Sequence, residues 1–95
     1  MNITLSLKPV YYKLIEGGIK KTEYRLLNEY YSKRLVKDGK IPSKGDKPDY
    51  KDIDTVTFLS GGLAAMTYKV KGIRLWPSSN PTHFAIDLGE RIKTK

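Results

Sequence analysis

The chain has 95 residues, 39% of them hydrophobic and 29% charged, which suffices for one small domain (1–95) with a single modest core and not for two. It contains no cysteine and one histidine, His83, so disulfides, thiolate metal sites and cysteine nucleophiles are excluded, and the scattered carboxylates suggest neither a metal site nor a cofactor. Eighteen Lys and Arg against ten Asp and Glu give a net charge of +8 and a pI near 9.7; this excess attracts polyanions, although lysine-rich surfaces also arise for solubility alone.

In chain order, residues 3–7 alternate Ile3, Leu5 and Leu7 with Thr4 and Ser6, the period of a half-buried strand. No basic leader or cleavage site precedes it, and no apolar run approaches the roughly 18–20 residues that span a bilayer. A soluble, cytoplasmic protein, taken as a monomer, is the expectation. Pro9 suits the first turn of a helix, and Val10, Tyr11, Leu14 and Ile15 predict a short amphipathic helix over 9–16 that Gly17-Gly18 ends. Residues 20–26 read as extended, with Thr22, Tyr24 and Leu26 on one face and Lys21, Glu23 and Arg25 on the other. By that parity Tyr24 is expected to pack inward; facing a ligand instead, it would offer a stacking plane.

Asn28 is a good N-cap for a second helix, with Glu29 in its first turn, Lys37 in its last, and Gly39 beyond it. The segment from Lys40 to Asp52 holds two prolines, one glycine and seven charges, and forms the longest expected loop. Val56 and Phe58 then mark a strand, Gly61-Gly62 a turn, and Met66, Tyr68 and Val70 a second period-two run that continues towards Ile73 and Leu75. Trp76-Pro77-Ser78-Ser79-Asn80-Pro81 is turn chemistry with Trp76 as a loop anchor. Phe84, Ile86 and Leu88 give a last strand stopped by Gly89. The order β-α-β-α-β-β-β predicts an α+β fold, a curled sheet or pseudo-barrel of five or six strands with two short helices. Of the tyrosines, Tyr11, Tyr31 and Tyr68 fall on apolar faces and are assigned to the core; Tyr12, Tyr30 and Tyr50 are assigned to the surface.

The densest polar cluster lies between Gly18 and Arg25. Glu23 and Arg25 stand two apart on a strand, about 6–7 Å along the backbone, so they either pair with each other or address a ligand together. Lys20 leaves the Gly-Gly turn beside them, and Lys8 lies nearby if the first two strands are neighbours. Gly61-Gly62 lacks the Lys-Ser/Thr of a phosphate loop, and no motif joins Ser6 to His83 in a triad.

Gly18-x-Lys20-x-x-Glu23-x-Arg25 resembles the G-x-K-x-x-E-x-R signature of the ASCH domain family. Leu5-Ser6-Leu7-Lys8-Pro9 is similar to that family's opening strand and turn, and Phe58-Leu59-Ser60-Gly61 and Phe84-Ala85-Ile86-Asp87-Leu88-Gly89 to its later strands. The resemblance implies a PUA-like pseudo-barrel, an RNA-binding architecture, with a polar cleft for a nucleotide or base formed by Lys8, Lys20, Lys21, Glu23 and Arg25. RNA or a nucleotide is the implied partner. Some ASCH relatives act as amidohydrolases on N4-acetylcytidine with a threonine nucleophile; here Glu23 stands at the matched position, and Thr22, one residue away, points to the opposite face. If the chain is such a hydrolase, Lys20 and Glu23 are its catalytic candidates, with Asp54, Asp87 or Glu90 as a further carboxylate. Ribonuclease activity, using Lys20 with a tyrosine or serine, is another implied option. A protein-docking role for the exposed tyrosines and the 38–52 loop is a third.

Overall fold

The computed structural model describes residues 1–93 and places seven elements in the expected order. They are β1 (Asn2–Ser6), α1 (Pro9–Glu16), β2 (Thr22–Leu26), α2 (Glu29–Leu35), β3 (Thr55–Leu59), β4 (Met66–Trp76) and β5 (His83–Ile92). All five strands belong to one mixed sheet of order β1-β3-β4-β5-β2, in which β1 runs parallel to β3 and the other pairs are antiparallel. The sheet is a small α+β half-barrel: β1 and β2 form its two edges, yet Arg25 of β2 reaches the carbonyl of Ser6 at the end of β1, 2.8 Å away. Thus β1 and β2 are neighbours across the open seam, brought together by curvature and not by a strand ladder.

The core lies inside this curl. Ile3 and Leu5 of β1, Val56 and Phe58 of β3, Met66 and Tyr68 of β4 and Phe84, Ile86 and Leu88 of β5 are all buried in one cluster. Alternate residues of a strand share a face, so these are the inward sets that the apolar alternation announced. Helix α1 adds Tyr12 and Ile15, and α2 adds Leu35. Each such side chain contributes about 1.5–3 kcal/mol by leaving water.

Asn28 caps α2 as expected, its side chain accepting from the backbone N–H of Tyr31 at 2.9 Å. The helix stops at Leu35, so its last-turn cations are Lys33 and Arg34 and not Lys37. The loop that follows is closed at its base by the Val36–Tyr50 bridge and by backbone bonds from Lys37 to Asp49 and from Lys51 to Leu35. No helix among the described residues is long and apolar enough to cross a membrane.

Further expectations are corrected: Tyr50, assigned to the surface, is partly buried against the core beside Phe84. In α1 the buried tyrosine is Tyr12, which donates to the carbonyl of Ala64 at 2.6 Å, while Tyr11 is exposed. The helix packs on its Tyr12–Ile15 stripe, three residues apart, and not on the four-apart Tyr11–Ile15 stripe. Gly89 does not end the last strand, which continues to Ile92. A Cβ at Gly89 would lie 3.3 Å from the Cβ of Lys69, so the glycine permits close approach at an irregularity between β4 and β5. Trp76 is the last residue of β4 and not a loop anchor, and its neighbour on β5 is His83.

Candidate nucleotide cleft

The turn after α1 sets the geometry of the site. Gly18 takes a φ of 75°, and the N–H groups of Ile19 and Lys20 both donate to Leu14 at 3.0 Å. A left-handed residue is needed there, and glycine adopts it without a Cβ clash. The wrapped turn delivers Lys20 to the start of β2, where its Nζ donates to Glu23 Oε1 at 2.6 Å and lies 4.8 Å from the centre of the Tyr11 ring.

Glu23 is the centre of the cluster. Its side chain points inward from β2 and the residue is only 4% exposed. The second oxygen, Oε2, accepts from Arg25 Nε at 2.9 Å and lies 2.7 Å from Arg25 Nη2. One carboxylate thus holds two cations, which meets the requirement that a buried charge be paired and hydrogen-bonded. Arg25 spreads its fork further, from Nη1 to the Tyr31 hydroxyl at 2.9 Å and from Nη2 to Ser6 O at 2.8 Å. Four chain segments therefore meet on one guanidinium: the end of β1, β2, α2 and, through Glu23, the α1–β2 turn.

The parity expected for β2 is reversed by this pairing. Thr22, Tyr24 and Leu26 form its outward set, and Tyr24 is 37% exposed. Tyr24 packs its ring on that of Trp76, with centres 4.9 Å apart. The Thr22 hydroxyl donates to Asp87 at 2.9 Å on the side of the strand opposite Glu23, as the one-residue offset requires.

A shallow cleft of about 280 Å³ opens above Glu23 and Arg25, just below the roughly 300–1,000 Å³ range of small-molecule sites. Its walls include Ser6, Leu7 and Lys8 from the β1–α1 corner, Tyr11, Tyr24, Tyr31 and His83. Lys8, Glu23 and Arg25 are therefore brought together, with Lys20 at the rim through its contacts to Glu23 and Tyr11. Lys21 is not. It lines a separate recess with Thr22, Lys71 and Asp87 and, with Lys20, the recess that Glu90 borders. Arg25 has most of its donors committed to the protein, whereas the ammonium of Lys20 keeps two N–H groups beyond its bond to Glu23.

The three candidate later carboxylates lie elsewhere. Asp54 pairs with the amino group of Met1, Glu90 with Lys69 at 3.0 Å, and Asp87 with Arg74 at 2.8 Å. Glu90 alone shares a recess with Lys20, on the side away from the aromatic cleft. The Arg74 guanidinium holds the Asp87 carboxyl below the usual carboxylate range; burial opposes this and the Thr22 hydroxyl supports it. No group of His, Asp and Glu suited to a metal ion occurs among the described residues. The apolar alternation on β2 gives no sign of the inward turn of Glu23, and of the aromatic wall only Tyr24 is a candidate from sequence, because Tyr11, Tyr24 and His83 come from three separate elements. In comparisons with known proteins, no family model, curated protein or solved structure matches this chain.

Proposed function

We propose that this domain binds single-stranded RNA, holding one base or nucleotide in the cleft formed by Lys8, Tyr11, Lys20, Glu23, Tyr24 and Tyr31. The observation that carries this reading is the join of a cationic cluster to an aromatic wall. Lys20, Glu23 and Arg25 sum to one positive charge, and four aromatic rings, Tyr11, Tyr24, Tyr31 and His83, line an open cleft of base size. Flat aromatic walls suit unstacked bases, and free ammonium donors suit phosphates or base carbonyls. The net charge of +8 adds long-range attraction for the same ligand. The resemblance of the Gly18-to-Arg25 segment to the ASCH signature supports the same reading, as does a curled sheet compatible with a PUA-like pseudo-barrel.

Within the site, Lys20 and Lys8 meet the anionic or carbonyl oxygens of the ligand, Tyr11 and Tyr24 flank the base, and Glu23 positions Lys20. Arg25 is a positioning residue that ties Glu23 to β1 and α2. Binding is favoured over hydrolysis because the Glu23 carboxylate already accepts from Lys20 and Arg25, a role that holds the two cations in place.

The test is fluorescence or anisotropy titration with single-stranded RNA across a salt series. Lys20→Ala is expected to weaken binding about tenfold or more, since a charge-assisted hydrogen bond is lost, and to reduce the steepness of the salt dependence. Binding indifferent to both Lys20→Ala and Lys8→Ala would rule the cleft out. Release of cytidine from N4-acetylcytidine by the purified protein, abolished by Lys20→Ala, would replace this reading with a hydrolase.

A further inference from the structure

The outer face of the sheet beyond the cleft carries a second set of rings. Register places Leu26, His83 and Trp76 in one row across β2, β5 and β4, and Tyr24, Ala85 and Arg74 in the next. A third row holds Thr22, Asp87 and Gly72. Partners in register point to the same side of a sheet, so all nine residues share one face. On it Tyr24, Trp76 and His83 form a mutual cluster, with ring centres 4.9, 6.2 and 6.4 Å apart. Trp76 is 41% exposed, a large area of indole left in water beside two other aromatic groups.

Cations border these rings. Arg74 sits in the same row as Tyr24, held by two bonds to Asp87 at 2.8 and 3.1 Å. An irregularity in β4 between Val70 and Gly72 leaves Lys71 unpaired and beside Asp87, and Lys21 lines the same recess. Three cations thus surround one carboxylate at the margin of the aromatic cluster. Tyr24 and His83 also line the cleft, so the two surfaces share a rim.

We infer that this outer face of β2, β5 and β4 is a stacking platform for single-stranded nucleic acid leaving the cleft. One base stacks on the Trp76–Tyr24 surface, and the adjoining phosphates meet Arg74, Lys71 and Lys21. Exposed rings interleaved with cations recognise a polyanion whose units are planar, and a hydrophobic peptide has no use for the cations. The inference rests on the reading of the cleft as a nucleotide site and extends it from one nucleotide to a short strand.

Trp76 is the one tryptophan of the chain, so its emission reports on the platform. The protein is titrated with a uridylate oligonucleotide and, separately, with uridine monophosphate. The oligonucleotide is expected to quench Trp76. Followed by anisotropy of a labelled oligonucleotide, Trp76→Ala weakens binding about tenfold, Trp76→Phe restores most of the loss, and Lys71→Glu weakens binding at low salt. The mononucleotide is unaffected by Lys71→Glu and weakened by Lys20→Ala. If Trp76→Ala and Lys71→Glu leave oligonucleotide affinity unchanged while Lys20→Ala lowers it, the platform is overturned and the cleft stands. If Lys20→Ala has no effect while Trp76→Ala weakens the oligonucleotide, the cleft reading fails and the platform remains. A concentration-dependent dimer dispersed by Trp76→Ala, with no quenching by the oligonucleotide, would assign the face to a second copy and overturn the proposal.

Discussion

Glu23 shows how one side chain reverses the reading of a strand. A carboxylate left alone at 4% exposure would be strongly disfavoured, but here each oxygen has a cation and the pair of cations comes from the same strand and the preceding turn. Removing one partner of such an arrangement leaves the others uncompensated. Glu23→Gln keeps the shape and removes the charge, leaving Lys20 and Arg25 to repel each other across the cleft. A loss of about 3 kcal/mol is expected in urea unfolding. Adding Lys20→Met should recover part of it, because two residues of one network are not additive; strict additivity would show that Glu23 and Lys20 act separately.

At the scale of elements, the strands were legible where alternation met a buried face, and so were the start of α2 and the order of the seven elements. Ile3–Leu5, Val56–Phe58 and Phe84–Ile86–Leu88 all point into the core as their spacing indicates. On β2 the rule failed because an ion cluster, and not apolar area, chose the inward face; nothing in the alternation of Thr22, Tyr24 and Leu26 signals that. On α1 two tyrosines in succession offered two helical stripes, and only packing against Ala64 and the sheet decides between them. The candidate site was half legible for the same reason: Lys20, Glu23 and Arg25 are close in sequence, while the aromatic wall is assembled by folding. Helix α2 has only seven residues, too few to hold itself together, so its cap and its side-chain ties matter. Asn28→Ala removes the acceptor for the N–H of Tyr31 and is expected to cost about 1 kcal/mol. Because Tyr31 also receives Arg25, chemical-shift changes in an NMR spectrum should reach the cleft; changes confined to α2 would show the two to be uncoupled.

For the whole molecule, charge shapes the response to acid. Asp87 ties Arg74 of β4 to Thr22 of β2 across β5, and its folded carboxyl titrates below the usual range, chiefly through Arg74. A lowered folded value means that the interaction stabilises the protein above the unfolded carboxylate pKa, about 3.9, and is lost as pH falls through the folded one. Asp87→Asn should therefore lower the melting temperature at neutral pH and flatten its decline below about pH 4. Identical acid profiles for the two proteins, measured by circular dichroism, would remove Asp87 from this role.

The parallel pairing of β1 with β3 has a kinetic consequence. Asn2 sits opposite Thr55, 53 residues away, so β1 can be seated only after a long loop has closed, whereas β4 and β5 are joined by a short turn. Closing such a loop costs entropy before any contact offsets it. The β4–β5 ribbon is therefore expected to form early and β1 to dock on the native side of the barrier. In stopped-flow chevrons Ile86→Val should slow folding, while Ile3→Val should speed unfolding and leave the folding rate nearly unchanged. The reverse pattern would mean that the chain assembles from its parallel edge inward.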